Sequence, residues 1–152
     1  MELHEKLSTI QVRFKAHKSA YNSFGKYNFR KAEDILEALK PFNTEFGVYF
    51  TVSEELIAPA VIQSTATISD GKTAIHATAI VGVDLNQKGM QVPQQYGSAS
   101  SYAKKYALGN LLLIDDTQDS DATNQHGKRD FTRKVSKLEG SIADSKGADL
   151  GF

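Results

Sequence analysis

"FGVYFTVSEELIAPAVIQSTATISDGKTAIHATAIVGV", residues 46–83, is where the apolar spacing of the chain changes from a helical period to a period of two. Phe46, Val48, Phe50 and Val52 alternate with Gly47, Tyr49, Thr51 and Ser53. Ile62, Ser64, Ala66 and Ile68 then alternate with Val61, Gln63, Thr65 and Thr67, and Ile75, Ala77, Ala79, Val81 and Val83 share one side of a third run. Successive side chains of an extended chain point to opposite faces, so this pattern predicts three strands. Asp70-Gly71-Lys72 is a hairpin turn signal between the second and third. Short connections imply an antiparallel meander with one apolar face and one face rich in threonine. The apolar face needs a cover, and the segments on either side can supply it. The predicted fold class is therefore α+β: N-terminal helices, a three-stranded antiparallel β-meander, and a C-terminal helix packed on the sheet.

Upstream, Leu3, Leu7, Ile10, Phe14, His17 and Tyr21 recur at steps of three and four, the stripe of an amphipathic helix. This spacing predicts a first helix that ends near Gly25. "RKAEDILEALKPFNTEFG", residues 30–47, predicts a second. Glu33 and Asp34 suit its first turn, where the helix dipole favours negative charge, and Gly47 is its stop. Pro41 is expected to kink it or end its first part.

Downstream, "LNQKGMQVPQQ" at 85–95 reads as a loop. A third helix is expected from Ser98 as N-cap. Ala99, Tyr102, Ala103, Tyr106, Asn110 and Leu113 form its stripe, with Tyr106 assigned to the core, while Ser101, Lys104 and Lys105 lie on the open side. From Leu108 to Ile114 the apolar residues run all round, which predicts a buried end. The last ~30 residues are polar and poor in aromatics, the composition of a disordered tail. The expected organisation is a domain over residues 1–122 and a flexible tail over 123–152.

The 152 residues suffice for one domain with a real core. There is no cysteine, hence no disulfide framework and no thiolate metal site. The N-terminus has no apolar signal region, and no apolar run approaches the ~20 residues of a membrane span. Net charge is zero, but its distribution is polar. Residues 1–31 carry seven Lys/Arg against two Asp/Glu, residues 32–93 three against eight, and residues 94–114 two against none. Two basic segments bracket an acidic middle, a pattern that can raise a local positive surface on a neutral protein.

No phosphate-binding glycine loop matches G-x-x-x-x-G-K-[ST], so the chain shows no means of using ATP. His4, His17, His76 and His126 lack metal-ligand spacing, and Asp115, Asp116, Asp119 and Asp121 lack the glycine and terminal glutamate of a calcium loop. No serine elbow or Ser/His/Asp set is present, and no residue pattern supports an enzyme or a cofactor. Two aromatic-basic clusters remain. One is "YNSFGKYNFRK" at 21–31, in which Tyr21, Phe24, Tyr27 and Phe29 interleave with Lys26, Arg30 and Lys31; the other is Tyr96, Tyr102, Lys104, Lys105 and Tyr106. Cations that track phosphates beside rings that stack bases are the means of holding single-stranded nucleic acid. Lys104 and Lys105 are assigned to phosphates, with Arg30, Lys31 and Lys26 as a second basic row. Tyr27, Tyr102 and Gln95 are assigned to bases or sugars. Ser98, at the expected helix start, offers backbone donors to a phosphate, and Ser101 shares the open face.

"FGKYNFRKAEDILEALKP" and "YGSASSYAKKYALGNLLLIDDTQDSDATN" together resemble the ERF family of phage single-strand annealing proteins. The second stretch is the more specific: Gly-Ser, a small-residue turn, Tyr, a basic pair, Tyr-Ala-Leu, an apolar run and an acidic cluster. The resemblance covers roughly residues 5 to 124. The family typically has an arginine where this chain has Lys104 or Lys105, which keeps the charge but loses the bidentate fork. The resemblance implies an ATP-independent protein, not an enzyme, that binds single-stranded DNA and anneals complementary strands in recombination. It implies a β-β-β-α core and a homo-oligomer, ring or filament, that works beside a phage exonuclease or single-strand-binding protein in the cytoplasm of a bacterial host. Two other readings stay open at this point. One is a double-stranded RNA-binding module, which shares an α-β-β-β-α order; the other is a metal-dependent nuclease built on the aspartates.

Overall fold

A computed structural model of the chain describes residues 1–114. The aspartates from Asp115 onward and the expected tail lie outside the described residues. The elements run α1 (Leu3–Arg13), β1 (Ala20–Asn22), β2 (Tyr27–Phe29), α2 (Ala32–Phe46), β3 (Tyr49–Ala58), β4 (Val61–Ser69), β5 (Ala74–Gly82) and α3 (Val92–Leu112).

The meander is as the period predicts. β3, β4 and β5 form an antiparallel sheet in that order, with Phe50 opposite Ile68, Val52 opposite Ala66, and Ile68 opposite Ile75. Thr51, Thr67 and His76 form a row on the other face, where Thr67 Oγ1 and His76 Nδ1 lie 2.7 Å apart. α3 packs mainly on β5 and β4. Its buried ridge, Gln95, Ala99, Ala103, Ala107 and Leu111, repeats every four residues. Alanines on that ridge let the helix axis lie close to the sheet, because no long side chain separates the backbones. At the far end Leu108, Leu111 and Leu112 join Leu3, Leu7 and Ile10 of α1, Ile35 and Leu39 of α2, and Ala66 and Ile68 of β4 in one core. Gln11 Nε2 donates to Leu111 O at 2.8 Å and ties α1 to the same place.

The three described helices start with the same device. The side chain three residues past the N-cap accepts from the N-cap backbone N–H: Glu5 Oε2 from Glu2 at 2.7 Å, Asp34 Oδ2 from Lys31 at 2.7 Å, and Gln94 Oε1 from Gln91 at 3.0 Å. α3 therefore begins at Val92, with Pro93 in its first turn, and not at Ser98. Proline suits that turn, since its missing N–H has no intrahelical partner there. The expected loop is correspondingly shorter.

Other expectations need correction. α1 stops at Arg13: Phe14 turns extended at φ −63° and ψ 128° while its ring stays buried. Beyond it the stripe would continue through His17 and Tyr21, both exposed, so no buried apolar face repays further helix. Arg13 is held at this corner, ion-paired with Glu45 and placed 5.4 and 5.7 Å from the ring centroids of Phe42 and Phe46. Residues 20–29 form a two-stranded antiparallel hairpin instead, with Tyr21 opposite Asn28. Pro41 does not end α2, which runs on to Phe46 and closes at Gly47 in the left-handed region, φ +62°. Proline forfeits one backbone bond, and Leu39, Phe42 and Phe46 hold the helix on both sides of it. Leu113 is 67% exposed rather than buried, because it caps α3 at φ +52° and leaves the helical stripe.

Candidate nucleic-acid interface

The end of the hairpin, the start of α2 and the middle of α3 meet at a cleft of about 320 Å³ lined by Phe29, Arg30, Lys31, Ser101, Tyr102 and Lys105. Two distant basic segments thus come together. Arg30 is 5% exposed, and its Nε and Nη1 are buried without a hydrogen-bond partner. Among the described residues no carboxylate is recorded in an ion pair with it. A buried guanidinium without a counter-charge is costly, and an anion in the cleft would offset that cost. Lys31 is exposed at the N-cap of α2, where the helix dipole adds positive potential. Glu33 also lines the cleft and sets a negative limit on one part of it.

Asp34 holds this junction. Burial would raise its carboxyl, but hydrogen bonds from the Lys31 N–H and the Ser19 hydroxyl and backbone, with the Lys31 charge, outweigh that and hold it below the usual aspartate range. Ser19 Oγ donates to Asp34 Oδ2 at 2.8 Å, so the segment leading into β1 is bound to the first turn of α2 on either side of Arg30. A carboxylate whose folded pKa is depressed stabilises above its unfolded value and loses that contribution as pH falls through the folded one. Asp34→Ala is therefore expected to cost about 1 kcal/mol at pH 7, a cost that shrinks as pH falls below the ordinary aspartate value of about 3.9 and is lost only below the lowered folded one. Urea unfolding of both proteins at the two pH values measures it.

The predicted site residues divide. Arg30, Lys31, Ser101, Tyr102 and Lys105 share the cleft. Lys104, next to Lys105, does not: its Nζ lies 3.7 Å from Glu54 Oε1, which also accepts from Ser100 Oγ at 2.5 Å. Adjacent residues on a helix project about 100° apart, so a lysine pair read as one unit serves two sides. Tyr102 is 54% exposed and stacks on Tyr106, with centroids 6.0 Å apart and planes at 24°. Tyr106 is thus half-exposed and not a core residue. Gln95 is buried, and its Nε2 faces the carbonyls of Leu85, Gln87 and Met90 at 3.5, 3.2 and 3.3 Å. It fastens the loop before α3. Ser98 is exposed inside α3, so its backbone N–H belongs to the helix. Tyr27 sits within the hairpin, its hydroxyl accepting from Asn22 Nδ2 at 3.0 Å, and Lys26 lies at the hairpin tip. Phe29 belongs to the first aromatic-basic cluster of the sequence but is given no contact of its own there, and Glu54 is not singled out. Phe29 was legible from its place next to Arg30, and Glu54 from breaking the apolar alternation of β3.

Among the described residues no group of three or more His, Asp or Glu could hold a metal ion, and no helix is long and apolar enough to cross a membrane.

A family model described as the ERF superfamily matches residues 3–146. Over 128 residues the chain is 42% identical to the Essential recombination function protein of Salmonella phage P22, an alignment that covers 82% of this chain and 61% of that relative. The chain thus spans less than two thirds of the relative's length. No solved structure matches it.

Proposed function

The chain belongs to the ERF superfamily, and on that premise we propose that it is a phage recombination protein that binds single-stranded DNA at the Arg30–Lys105 cleft and anneals complementary strands. The observation that carries this reading is the buried Arg30 guanidinium, with no counter-ion among the described residues, beside Lys31, Lys105, Ser101 and the half-exposed Tyr102. Phosphates are anions that satisfy a guanidinium bidentately. An exposed, stacked tyrosine pair offers a face to a base of any sequence.

Annealing on this surface needs no catalytic residue and no ATP. Two strands repel through their phosphates, and free coils hide their bases. A cleft that neutralises one strand and holds it extended lowers both barriers, and neighbouring copies of the chain lengthen the track. Assembly into a homo-oligomer and action in a bacterial host, beside a phage exonuclease or single-strand-binding protein, belong to the same reading.

The test is fluorescence anisotropy with a labelled oligonucleotide over a salt series, with and without ATP, and a double-stranded RNA of equal length as competitor. Lys31→Ala with Lys105→Ala should weaken binding and reduce the log–log salt slope by about 0.7 per lost phosphate contact. Tyr102→Ala should cost about 1–3 kcal/mol with the slope unchanged. Tighter binding of the RNA, or wild-type behaviour of the lysine variant at every salt concentration, would refute the reading.

A further inference from the structure

The hairpin tip is a braced display. Asn22 Oδ1 accepts from the backbone N–H groups of Phe24 and Gly25, both at 3.0 Å, while its Nδ2 donates to Tyr27 Oη. The Tyr27 ring lies so close under Gly25 that a Cβ there would stand 2.2 Å from Cε1, so any other residue would have to displace the ring. Lys26 adopts a left-handed φ of +54°, unfavourable for a lysine. What this arrangement holds up is Phe24, which is 100% exposed and so packs on no apolar partner among the described residues. Lys26 follows two residues on, and there is no carboxylate anywhere between Glu5 and Glu33 in the sequence.

A matching recess lies on another surface. Glu54 and Leu56 continue the face of β3 that carries Phe50 and Val52, but α3 covers chiefly β4 and β5. Past Ser53 every residue of β3 is exposed, Leu56 at 61% and Ile57 at 45%. A cleft of about 310 Å³ opens there, with Leu56, Ile62, Tyr96 and Gly97 as its apolar floor and Glu54 and Glu55 beside them. β3 is also a sheet edge. An exposed ring two residues from a lysine suits an apolar recess edged by the Glu55 carboxylate, Glu54 being already paired with Lys104.

The geometry points to a head-to-tail contact between copies of this chain, in which Phe24 of one copy enters the β3–α3 recess of the next and Lys26 meets Glu55. This rests on the homo-oligomer part of the proposed function and supplies the surfaces for it. Knob and recess are different patches of one chain, so the contact repeats from copy to copy, closing into a ring or running on as a filament.

Light scattering and sedimentation of the full chain at micromolar concentration test it, with oligonucleotide affinity measured in parallel. Phe24→Ser and Leu56→Arg are exposed changes whose folding circular dichroism checks. Each alone should weaken self-association by about tenfold or more. Mixed together they should form a dimer that neither forms alone, because each keeps the surface the other lacks. Lys26→Glu and Glu55→Lys should each weaken assembly, and the two together in one chain should restore it. Assembly of both single variants at wild-type strength overturns the inference and leaves the DNA-binding reading standing. A Phe24→Ser protein that assembles fully but loses oligonucleotide affinity also overturns it, making the knob a nucleic-acid contact. A wild-type chain that stays monomeric with and without DNA overturns both the inference and the oligomeric part of the reading.

Discussion

Arg30→Met is expected to bind single-stranded DNA roughly 30- to 160-fold more weakly, a loss of about 2–3 kcal/mol, while unfolding at a higher temperature than wild type. The two effects have one cause. Arg30 is 5% exposed, and two of its guanidinium nitrogens lack an acceptor among the described residues, so within that part of the protein its buried charge is uncompensated. Methionine fills a similar volume without that charge, and replacing even paired buried ions by apolar side chains of like volume is often neutral or stabilising by about 1–4 kcal/mol. The thermal midpoint should rise by about 3 °C or more. A phosphate that supplies the missing counter-charge gains most from Arg30, and its loss should flatten the salt slope by about 0.7. Scanning calorimetry and anisotropy on one preparation decide the matter. A fall in both midpoint and affinity would give Arg30 a structural role instead, and unchanged affinity would remove the cleft from the DNA path.

Leu108→Ala is expected to destabilise by about 3–4 kcal/mol, a large share of the roughly 5–15 kcal/mol that holds a domain together. Leu108 is fully buried in the core shared by α1, α2, the sheet and α3. None of those elements can close the gap alone, because each is held by the others. Urea unfolding should show the midpoint falling with little change in slope. Leu113→Ala, at a position 67% exposed, should stay within about 0.5 kcal/mol of wild type. A loss below about 1 kcal/mol for Leu108→Ala would mean that α3 is not the joint of the fold. The folded fraction should still bind DNA, since Leu108 is buried and does not line the cleft.

The sheet was legible because its signal is local and repeated: each run alternates over enough residues for a period of two to stand out. α2 was legible from Glu33, Asp34 and Gly47, residues whose chemistry suits helix ends. The hairpin was not, since three-residue strands are too short to display a period, and the apolar steps through Phe14 imitate a longer helix. The start of α3 was hidden because Gln91 and Gln94 cap it reciprocally with residue types that also make loops. In the site, the two basic-aromatic segments were visible, but their meeting was not. Whether Lys104 or Lys105 turns toward Arg30 depends on where the sheet lies beneath α3. The burial of Arg30 depends on α2 and α3 enclosing it, and no stretch of sequence around residue 30 encodes that. Tyr106 was assigned inward because tyrosine at helical spacing fits a core, yet the alanine ridge does the packing and leaves the rings outside.

The bond from Gln11 to Leu111 joins residues 100 positions apart, and that separation governs the order in which the protein can take shape during synthesis. Leu3, Leu7 and Ile10 emerge early but cluster with Leu108, Leu111 and Leu112, which are made about 100 residues later. At about 5–20 residues per second, α1 waits roughly 5–20 s for its partner. The meander, whose strands are joined by short turns, can pair in the meantime. A nascent chain halted before Leu108 would leave the N-terminal stripe without its α3 partners, so the docking of the first helix waits on the third.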